Sequence, residues 1–181
     1  MELHTARCTL RPFRPTDAAS LARHADDRRV WRHLRDVFPH PYTLADAEAY
    51  IAHVGGEVPV TSFAIDVGGD AVGSVGLKLG SDIQRRSAEI GYWIGEAYWG
   101  RGIVGAAVQA VTAYAFRDLD LLRVWAVPFV TNPASARVLE RAGYVREGTM
   151  RRSAVKDGEV LDQHLYAAVR DDGPRASPAV P

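Results

Sequence analysis

Apolar residues recur three and four positions apart in four segments of the chain, a spacing typical of amphipathic helices. The second of these segments opens with a capping-box-like sequence, Thr43–Asp46, and is followed by the paired glycines Gly55 and Gly56. The fourth is followed by Gly143, in the position where a helix commonly ends in a left-handed residue. The predicted helices run from Asp17 to Ala25, from Thr43 to about Val54, from Ile103 to Phe116 and from Ala134 to Ala142.

Short segments rich in β-branched and aromatic residues lie between and around these helices, and they indicate strands. Pro12 interrupts the first of them, which is therefore predicted to be an edge strand. Gly68-Gly69-Asp70 is a hairpin turn signal between the second and the third. The predicted strands cover residues 9–13, 62–67, 71–79, 87–94 and 123–127, a segment from Tyr144 onward, and 165–169.

The order of the elements restricts the topology. It reads strand, two helices, three strands, helix, strand, helix, two strands, with an aperiodic, loop-like stretch over 26–42. Strands joined by helices near the end of the chain require at least one parallel pairing. We therefore expect a mixed sheet with helices on both faces.

Composition excludes several classes of protein. The 181 residues suit one domain, placed here at 1–170, with a small, Pro-rich and polar tail at 171–181 that is predicted to be disordered. The 22 Lys and Arg balance 22 Asp and Glu, which argues against a dedicated nucleic-acid-binding protein. No stretch approaches the roughly 20 apolar residues of a membrane span, and the N-terminus does not read as a secretory signal. We expect a soluble, cytoplasmic protein without nucleic-acid or membrane partners.

The segment Trp99–Gly105 lies between a predicted strand and a long predicted helix and is rich in glycine. Glycines let backbone N–H groups approach a ligand, and the helix N-terminus adds a positive dipole, a combination that suits a diphosphate. Gly100, Gly102 and Gly105 match the G-x-G-x-x-G fingerprint of dinucleotide-binding proteins. The acidic residue which that fingerprint requires after the next strand is missing, so a dinucleotide-dependent oxidoreductase is the weaker interpretation.

Two adjoining segments, Ala88–Ile94 and Trp99–Ile103, resemble the acetyl-CoA loop of GNAT N-acetyltransferases, in particular the RimJ/RimL-like branch, which acetylates protein N-termini and sometimes small amines. The resemblance extends over about residues 9 to 169 through three further blocks: Leu10–Phe13 with Asp17-Ala18, Asn132–Ser135 followed by Leu139–Tyr144, and Gly148 through Asp162 to Tyr166. It implies an α/β (α+β) fold with a mixed, mostly antiparallel twisted sheet of about six to seven strands. It also implies an enzyme that moves an acetyl group from its co-substrate, acetyl-CoA, to a primary amine by direct attack.

The same resemblance assigns residues to the acetyl-CoA site. The backbone of Tyr92 and Ile94 is expected to line the pantetheine arm and to polarise the thioester carbonyl. Asn132 is expected to contact that arm, to cap the helix that follows, or to do both. The loop expected to hold the pyrophosphate comprises Trp99, Gly100, Arg101, Gly102, Ile103, Val104 and Gly105. The alternative for strand and loop is a central core strand followed by a tight turn.

Glu89 and Ser135 are the candidate catalytic residues. Glu89 is the only acid in the cofactor strand and can draw a proton from the incoming ammonium; the alternative is a structural carboxylate paired with an arginine. Strand alternation places it on one face with Gly91 and Trp93. Ser135 matches a serine proposed in RimL-like enzymes to protonate the CoA thiolate; the alternative is an ordinary first-turn helix serine. Weaker candidates for the base are Asp36, Glu57 and Asp162.

The loop over 26–42 lies where the family shapes its acceptor pocket. Trp31, Phe38 and Tyr42 are therefore expected either to enclose the amine or to fill the core beneath the loop. The histidines show no spacing that fits metal ligation, so no metal is expected. Family analogy favours a homodimer.

Three positions depart from the family pattern. Val104 stands where Gly or Ala lets the loop approach the pyrophosphate, although Gly105 beside it restores some room. Leu139 occupies the place of a tyrosine general acid, and Ala154 that of a glutamate in some RimL-like enzymes. These departures leave one alternative open, a catalytically weak acyl-CoA-binding regulatory module.

Overall fold

The fold is given by a computed structural model that describes residues 1–171. Apart from Asp171, the tail predicted to be disordered lies outside the described residues. Within residues 1–171 the strands are β1 (Leu3–His4), β2 (Thr9–Arg11), β3 (Ser62–Val67), β4 (Asp70–Leu79), β5 (Ser87–Ile94), β6 (Arg123–Ala126), β7 (Val145–Lys156) and β8 (Glu159–Val169). The helices of the same range are α1 (Ala18–Ala25), α2 (Arg28–Trp31), α3 (Leu44–Val54), α4 (Ile103–Arg117) and α5 (Pro133–Arg141).

The strands form one sheet in the order β1-β2-β3-β4-β5-β6-β8-β7. All neighbouring pairs are antiparallel except β5 and β6, which are parallel and are joined by α4, because parallel neighbours need a long crossover connection. This confirms the predicted mixed, mostly antiparallel sheet. The predicted count of six to seven strands is one to two too low, and the two-residue β1 is too short to give a periodic pattern.

Helices cover both faces of the sheet, as the pattern predicts. On one face, α4 packs its apolar residues against β5 through Ile90 and Ile94 in the larger apolar cluster. On the other, α1 and α3 enclose a second cluster, which Trp93 of β5 contacts. The alternation of side chains along β5 therefore separates the two layers.

The structure corrects two element boundaries. A turn of 3-10 helix over Pro15–Asp17 precedes α1, and the Asp17 carboxylate accepts hydrogen bonds from the side chain of Arg11 and the N–H of Arg14 instead of capping α1. The last strand begins at Glu159, not at 165, because Asp157 and Gly158 take positive φ values of 53° and 79° and close a β7–β8 hairpin. The capping box of α3, between Thr43 and Asp46, is present as predicted.

No helix within residues 1–171 is both long and apolar enough to cross a membrane.

Candidate active site

The two parallel strands separate towards their C-terminal ends. The pairing of β5 with β6 covers only Ser87–Glu89 of β5, and β6 ends at Ala126. β5 continues to Ile94, so its last five residues have no strand partner on the side that faces β6. The separation opens a wedge in the middle of the sheet.

At this wedge, alternate residues of β5 direct their backbone N–H and C=O groups into the open space. Gly95 N–H donates to the carbonyl of Val72, so in the pairing with β4 the odd-numbered residues of β5 direct their backbone groups towards β4. The groups of Tyr92 and Ile94 therefore point into the wedge. The carbonyl of Ile94 accepts a hydrogen bond from the indole of Trp99 (2.9 Å), which ties the glycine-rich loop to the end of the strand.

That loop leads into the N-terminus of α4 beside the wedge. Gly100 and Gly102 have φ values of 74° and 71°, which favour glycine, and Gly102 is the N-cap of α4. Since Gly102 offers no side chain, no capping hydrogen bond satisfies the first N–H groups of α4, and these donors together with the helix dipole suit an anion. The side chain of Arg7, in the turn between β1 and β2, donates to the carbonyl of Arg101 (2.9 Å) and so helps to hold the loop in place.

One cavity of about 780 Å³ contains most of the residues predicted for the site. Its lining includes Glu89, Tyr92, Ile94, Trp99, Gly100, Gly102, Ile103, Val104, Gly105, Asn132, Ser135, Phe38 and Tyr42. Two predicted residues do not line it: Arg101, whose guanidinium lies 5.2 Å above the ring centre of Tyr98, and Trp31.

Asn132 and Ser135 are joined to β5 at the cavity wall. Asn132 is the N-cap of α5, and its Oδ1 accepts the N–H of Ser135 (3.2 Å). The Ser135 hydroxyl lies 2.8 Å from the Tyr92 hydroxyl, a pairing between residues 43 positions apart that no sequence pattern predicts. Burial raises the pKa of Tyr92 well above its usual value, more than its hydrogen bond with Ser135 lowers it, so this phenol stays protonated.

Glu89 faces the cavity with its carboxylate held by Arg35, a residue of the 26–42 loop. The side chain of Glu89 is 14% exposed and that of Arg35 is 59% exposed, so the carboxylate is largely enclosed while the guanidinium reaches solvent. The structure thus contains the pairing with an arginine that was the alternative to a catalytic role, and it also places the carboxylate at the cavity. Of the weaker candidates, Asp36 pairs with Lys156, Glu57 accepts from Thr61 and Ser62, and Asp162 accepts from the Arg152 N–H.

The aromatic residues of the 26–42 loop divide between two places. Phe38 lies 4.7 Å from Tyr42 and 5.5 Å from Trp93 between ring centres, and the three form an aromatic wall of the cavity. Trp31 instead lines a neighbouring pocket, where the Nζ of Lys156 sits 3.6 Å above its ring. Trp31 therefore holds the tip of the β7–β8 hairpin.

The positions that depart from the family pattern have structural explanations. Leu139 is fully buried in the larger apolar cluster, and Ala154 lies in β7 opposite Leu161, outside the cavity lining. Val104 packs partly against that same cluster, while a Cβ at Gly105 would meet no atom within 4 Å, so the loop keeps an open side.

The cavity also contains residues that the sequence did not single out. His33 and Lys78 line it beside Arg35. Burial lowers the pKa of His33, with a smaller contribution from Arg32, so the imidazole is neutral near pH 7. Residues 26–42 lack any periodic signal, so within this stretch only the aromatic residues and Asp36 are candidates from the sequence. Among residues 1–171, no group of three or more His, Cys, Asp or Glu is arranged to hold a metal ion.

This arrangement suits a long anionic ligand with a carbonyl at its reactive end. Backbone donors at the wedge can hydrogen-bond to carbonyl groups, the α4 N-terminus favours phosphate, and titratable side chains lie on the neighbouring sheet face.

Comparison with known proteins agrees with this geometry. A family profile described as "Acetyltransferase (GNAT) domain" matches residues 7–145. An uncharacterized N-acetyltransferase, p20 of Bacillus licheniformis, is 26% identical over 174 residues, which cover 93% of this chain and 96% of that protein. The ribosomal-protein-serine acetyltransferase of Escherichia coli strain K12 is 34% identical over 86 residues, which cover 48% of each chain.

Among solved structures, RimJ of Mycobacterium smegmatis in complex with a CoA-disulfide superposes with a TM-score of 0.85 and 25% identity. The superposition covers 97% of this chain and 90% of the other. The similarity therefore extends over the sheet, the wedge and the glycine-rich loop alike.

Proposed function

The chain belongs to the GNAT family of N-acetyltransferases, and on that premise we propose that it moves the acetyl group of acetyl-CoA to a primary amine by direct attack, without an acyl-enzyme intermediate. One relative is named for acetylating a ribosomal protein, so a protein N-terminus is a candidate acceptor beside small amines. Cys8 takes no part: it is buried outside the cavity lining, and burial raises the pKa of its thiol, so little thiolate forms.

The wedge and the N-terminus of α4 line the same cavity, and this arrangement is the main support for the proposal. Acetyl-CoA joins a thioester to a pyrophosphate through a long arm, and the cavity offers matching groups in the same order. The backbone of Tyr92 and Ile94 would hold the arm, and the N–H groups of 100–105 would hold the pyrophosphate. Asn132, at the start of α5, faces the same space and would contact the arm.

In the proposed reaction the amine nitrogen attacks the thioester carbonyl carbon, the C–N bond forms, and the C–S bond breaks. The incoming ammonium loses one proton before the attack and the nitrogen loses a second as the amide forms; the departing CoA thiolate gains one, so one proton is released overall. Backbone donors directed at the carbonyl oxygen would stabilise the negative charge that develops there. Glu89 is the proposed acceptor of the ammonium proton that is lost before the attack, and Ser135, hydrogen-bonded to the protonated phenol of Tyr92, is the proposed donor to the thiolate.

The alternative, a binding module without catalysis, receives no support from the named relatives. Its main argument was the loss of a tyrosine at Leu139 and of a glutamate at Ala154. The Tyr92–Ser135 pair supplies hydroxyl groups at the cavity that can donate a proton in place of the missing tyrosine.

The test is to incubate the protein with acetyl-CoA and a panel of primary amines and to follow the release of free thiol. Amine-dependent thiol release, with the acetylated amine identified by mass spectrometry, is the expected result. Binding of acetyl-CoA without turnover on any amine would favour the regulatory module. A thermal shift with CoA but not with NAD would remove the oxidoreductase interpretation.

A further inference from the structure

Two glycines, Gly76 of β4 and Gly91 of β5, face each other in the sheet where it lines the cavity. They leave a gap between the side chains on that face of the sheet. Residues directly opposed in antiparallel strands place their side chains next to each other on one face, and residues two apart in a strand share that face. Three opposed pairs of β4 and β5 form this part of the cavity lining: Ser74 with Trp93, Gly76 with Gly91, and Lys78 with Glu89.

Neither backbone conformation nor packing explains the glycine at 91. Its φ is not positive, and a Cβ placed there would meet no atom within 4 Å. At Gly76, by contrast, a Cβ would come within 3.3 Å of the carbonyl oxygen of Thr61. A glycine inside a strand costs about 0.5–1 kcal/mol of stability relative to alanine, and it often marks a place where a ligand lies close to the backbone.

Two different walls flank the gap above the glycines. On one side stands Trp93, which extends the aromatic wall formed with Phe38 and Tyr42. On the other side the carboxylate of Glu89 is held by Arg35, with Lys78 as its cross-strand neighbour. The gap is therefore a slot that runs across the strands and ends at the edge of β5, where the sheet separates from β6.

Resting on the proposed function, we propose that this slot binds the acceptor as a slender, extended chain that lies flush against Gly91 and ends in the amine. A chain in this position carries its terminal nitrogen over the edge of β5 into the wedge, where the backbone of Tyr92 and Ile94 faces. The walls restrict branching next to the amine. A linear alkylamine and the N-terminus of a peptide that begins with a small residue share this shape.

The direct test is Gly91→Ala. The methyl group enters the slot without a clash, so the Tm of the variant equals or slightly exceeds that of the parent, and the methyl group occupies the space the acceptor needs. We expect kcat/KM for the acceptor to fall by about 10-fold or more, mainly through KM, while the Kd for CoA stays unchanged. Gly148→Ala in β7 is the matched control, since its Cβ also meets nothing within 4 Å and it lies outside the cavity lining.

The acceptor itself is tested in two arms. n-Butylamine is compared with sec-butylamine, and a peptide beginning with glycine with one beginning with valine. The slender member of each pair should have a kcat/KM about 10-fold higher or more. The comparison with the higher kcat/KM shows whether the acceptor is a small amine or a peptide N-terminus. Unchanged acceptor kinetics in Gly91→Ala, or equal use of branched and unbranched amines, would overturn the slot alone. Acetyl transfer to no amine in either arm would overturn the proposed function, and the slot with it.

Discussion

The position of Glu89 at the cavity favours a catalytic role, whereas its ion pair with Arg35 favours a structural one. The attacking amine must lose a proton, and a primary amine with a pKa near 10 is mostly protonated at pH 7. If Glu89 removes this proton, Glu89→Gln lowers kcat/KM by about 100-fold and leaves CoA affinity unchanged. Raising the pH should then restore part of the lost activity, because it supplies neutral amine.

Arg35→Gln is the control for that experiment, because it breaks the same ion pair and leaves the carboxylate in place. We expect it to retain much more activity than Glu89→Gln. If Glu89→Gln has the parent's rate from pH 6 to pH 9, the carboxylate is not the base, and its function is to hold Arg35 at the cavity.

The hydroxyl of Ser135 is the proposed proton donor to the departing CoA thiolate. Ser135→Ala should lower kcat by about 100-fold, since the CoA thiolate then leaves without a nearby donor, and the Kd for acetyl-CoA should stay close to that of the parent. Tyr92→Phe should have a smaller effect, because it keeps the Ser135 hydroxyl. A pre-steady-state measurement of thiol release separates this step from product release; a Ser135→Ala enzyme with the parent's rate would assign the proton to solvent.

At the scale of elements, the tip of the β7–β8 hairpin is fastened to the segment that carries the aromatic wall. Lys156, 4% exposed, donates to Asp36 (2.7 Å) and packs over Trp31, and Arg28 pairs with Asp157 (3.0 Å). The segment between α2 and α3 thus has its position set by a hairpin distant in sequence.

Lys156→Met keeps the aliphatic stem and removes the charge. We expect a loss of about 2 kcal/mol in the free energy of unfolding, from the cation–π contact and the charged hydrogen bond, together with a raised KM for the acceptor. Arg28→Met removes an exposed ion pair in the same region and should cost no more than about 1 kcal/mol. Urea denaturation checks both values, and equal losses in the two variants would contradict the account.

Elements whose signals are local were predictable from the sequence. Apolar spacing and caps placed α3, α4 and α5 to within a residue or two, because each helix encodes its own buried face. The hairpin of β7 and β8 was only partly predicted, since its residues are mostly exposed and alternate weakly. At the site, the loop motif was local and predictable, whereas the Glu89–Arg35 contact joins residues 54 positions apart and follows only from the packed fold.

At the scale of the whole molecule, one buried ion cluster joins β2 to β3 and to the first helical turn. Arg11 pairs with Asp17 and with Asp66, each at 2.7 Å, and its side chain is 2% exposed. Burial acts to raise the pKa of Asp17, but the hydrogen bonds from Arg11 and Arg14 outweigh it and the net pKa is lowered. Asp17 therefore stabilises the fold at neutral pH, and this contribution is lost as the pH falls through its depressed pKa.

Arg11→Met leaves two buried carboxylates without their cation, and we expect a loss of about 3–5 kcal/mol at pH 7. Without Arg11, only Arg14 opposes the effect of burial, so the pKa of Asp17 rises and the variant loses less stability than the parent as the pH falls. The difference between parent and variant should thus narrow from pH 7 to pH 4. Urea denaturation across this range measures it, and a constant difference would show that Asp17 does not respond to Arg11.

In the proposed complex, the wedge and the α4 N-terminus hold acetyl-CoA with its pyrophosphate at residues 100–105. Gly105 lies in the first turn of α4, where a side chain meets no protein atom, and Asn and Asp occupy nearly the same space there, so comparing these two variants isolates the effect of charge. Like charges about 5 Å apart repel by about 3 kcal/mol at an effective dielectric constant of about 20, which is roughly 100-fold in affinity.

The measurement is isothermal titration of CoA into the parent, Gly105→Asn and Gly105→Asp, two variants of nearly the same size. We predict that both variants fold and that Gly105→Asp binds CoA about 100-fold more weakly than Gly105→Asn, because the two side chains take up similar room and differ in charge. Equal affinity of the Asn and Asp variants would contradict the placement of the pyrophosphate at this loop.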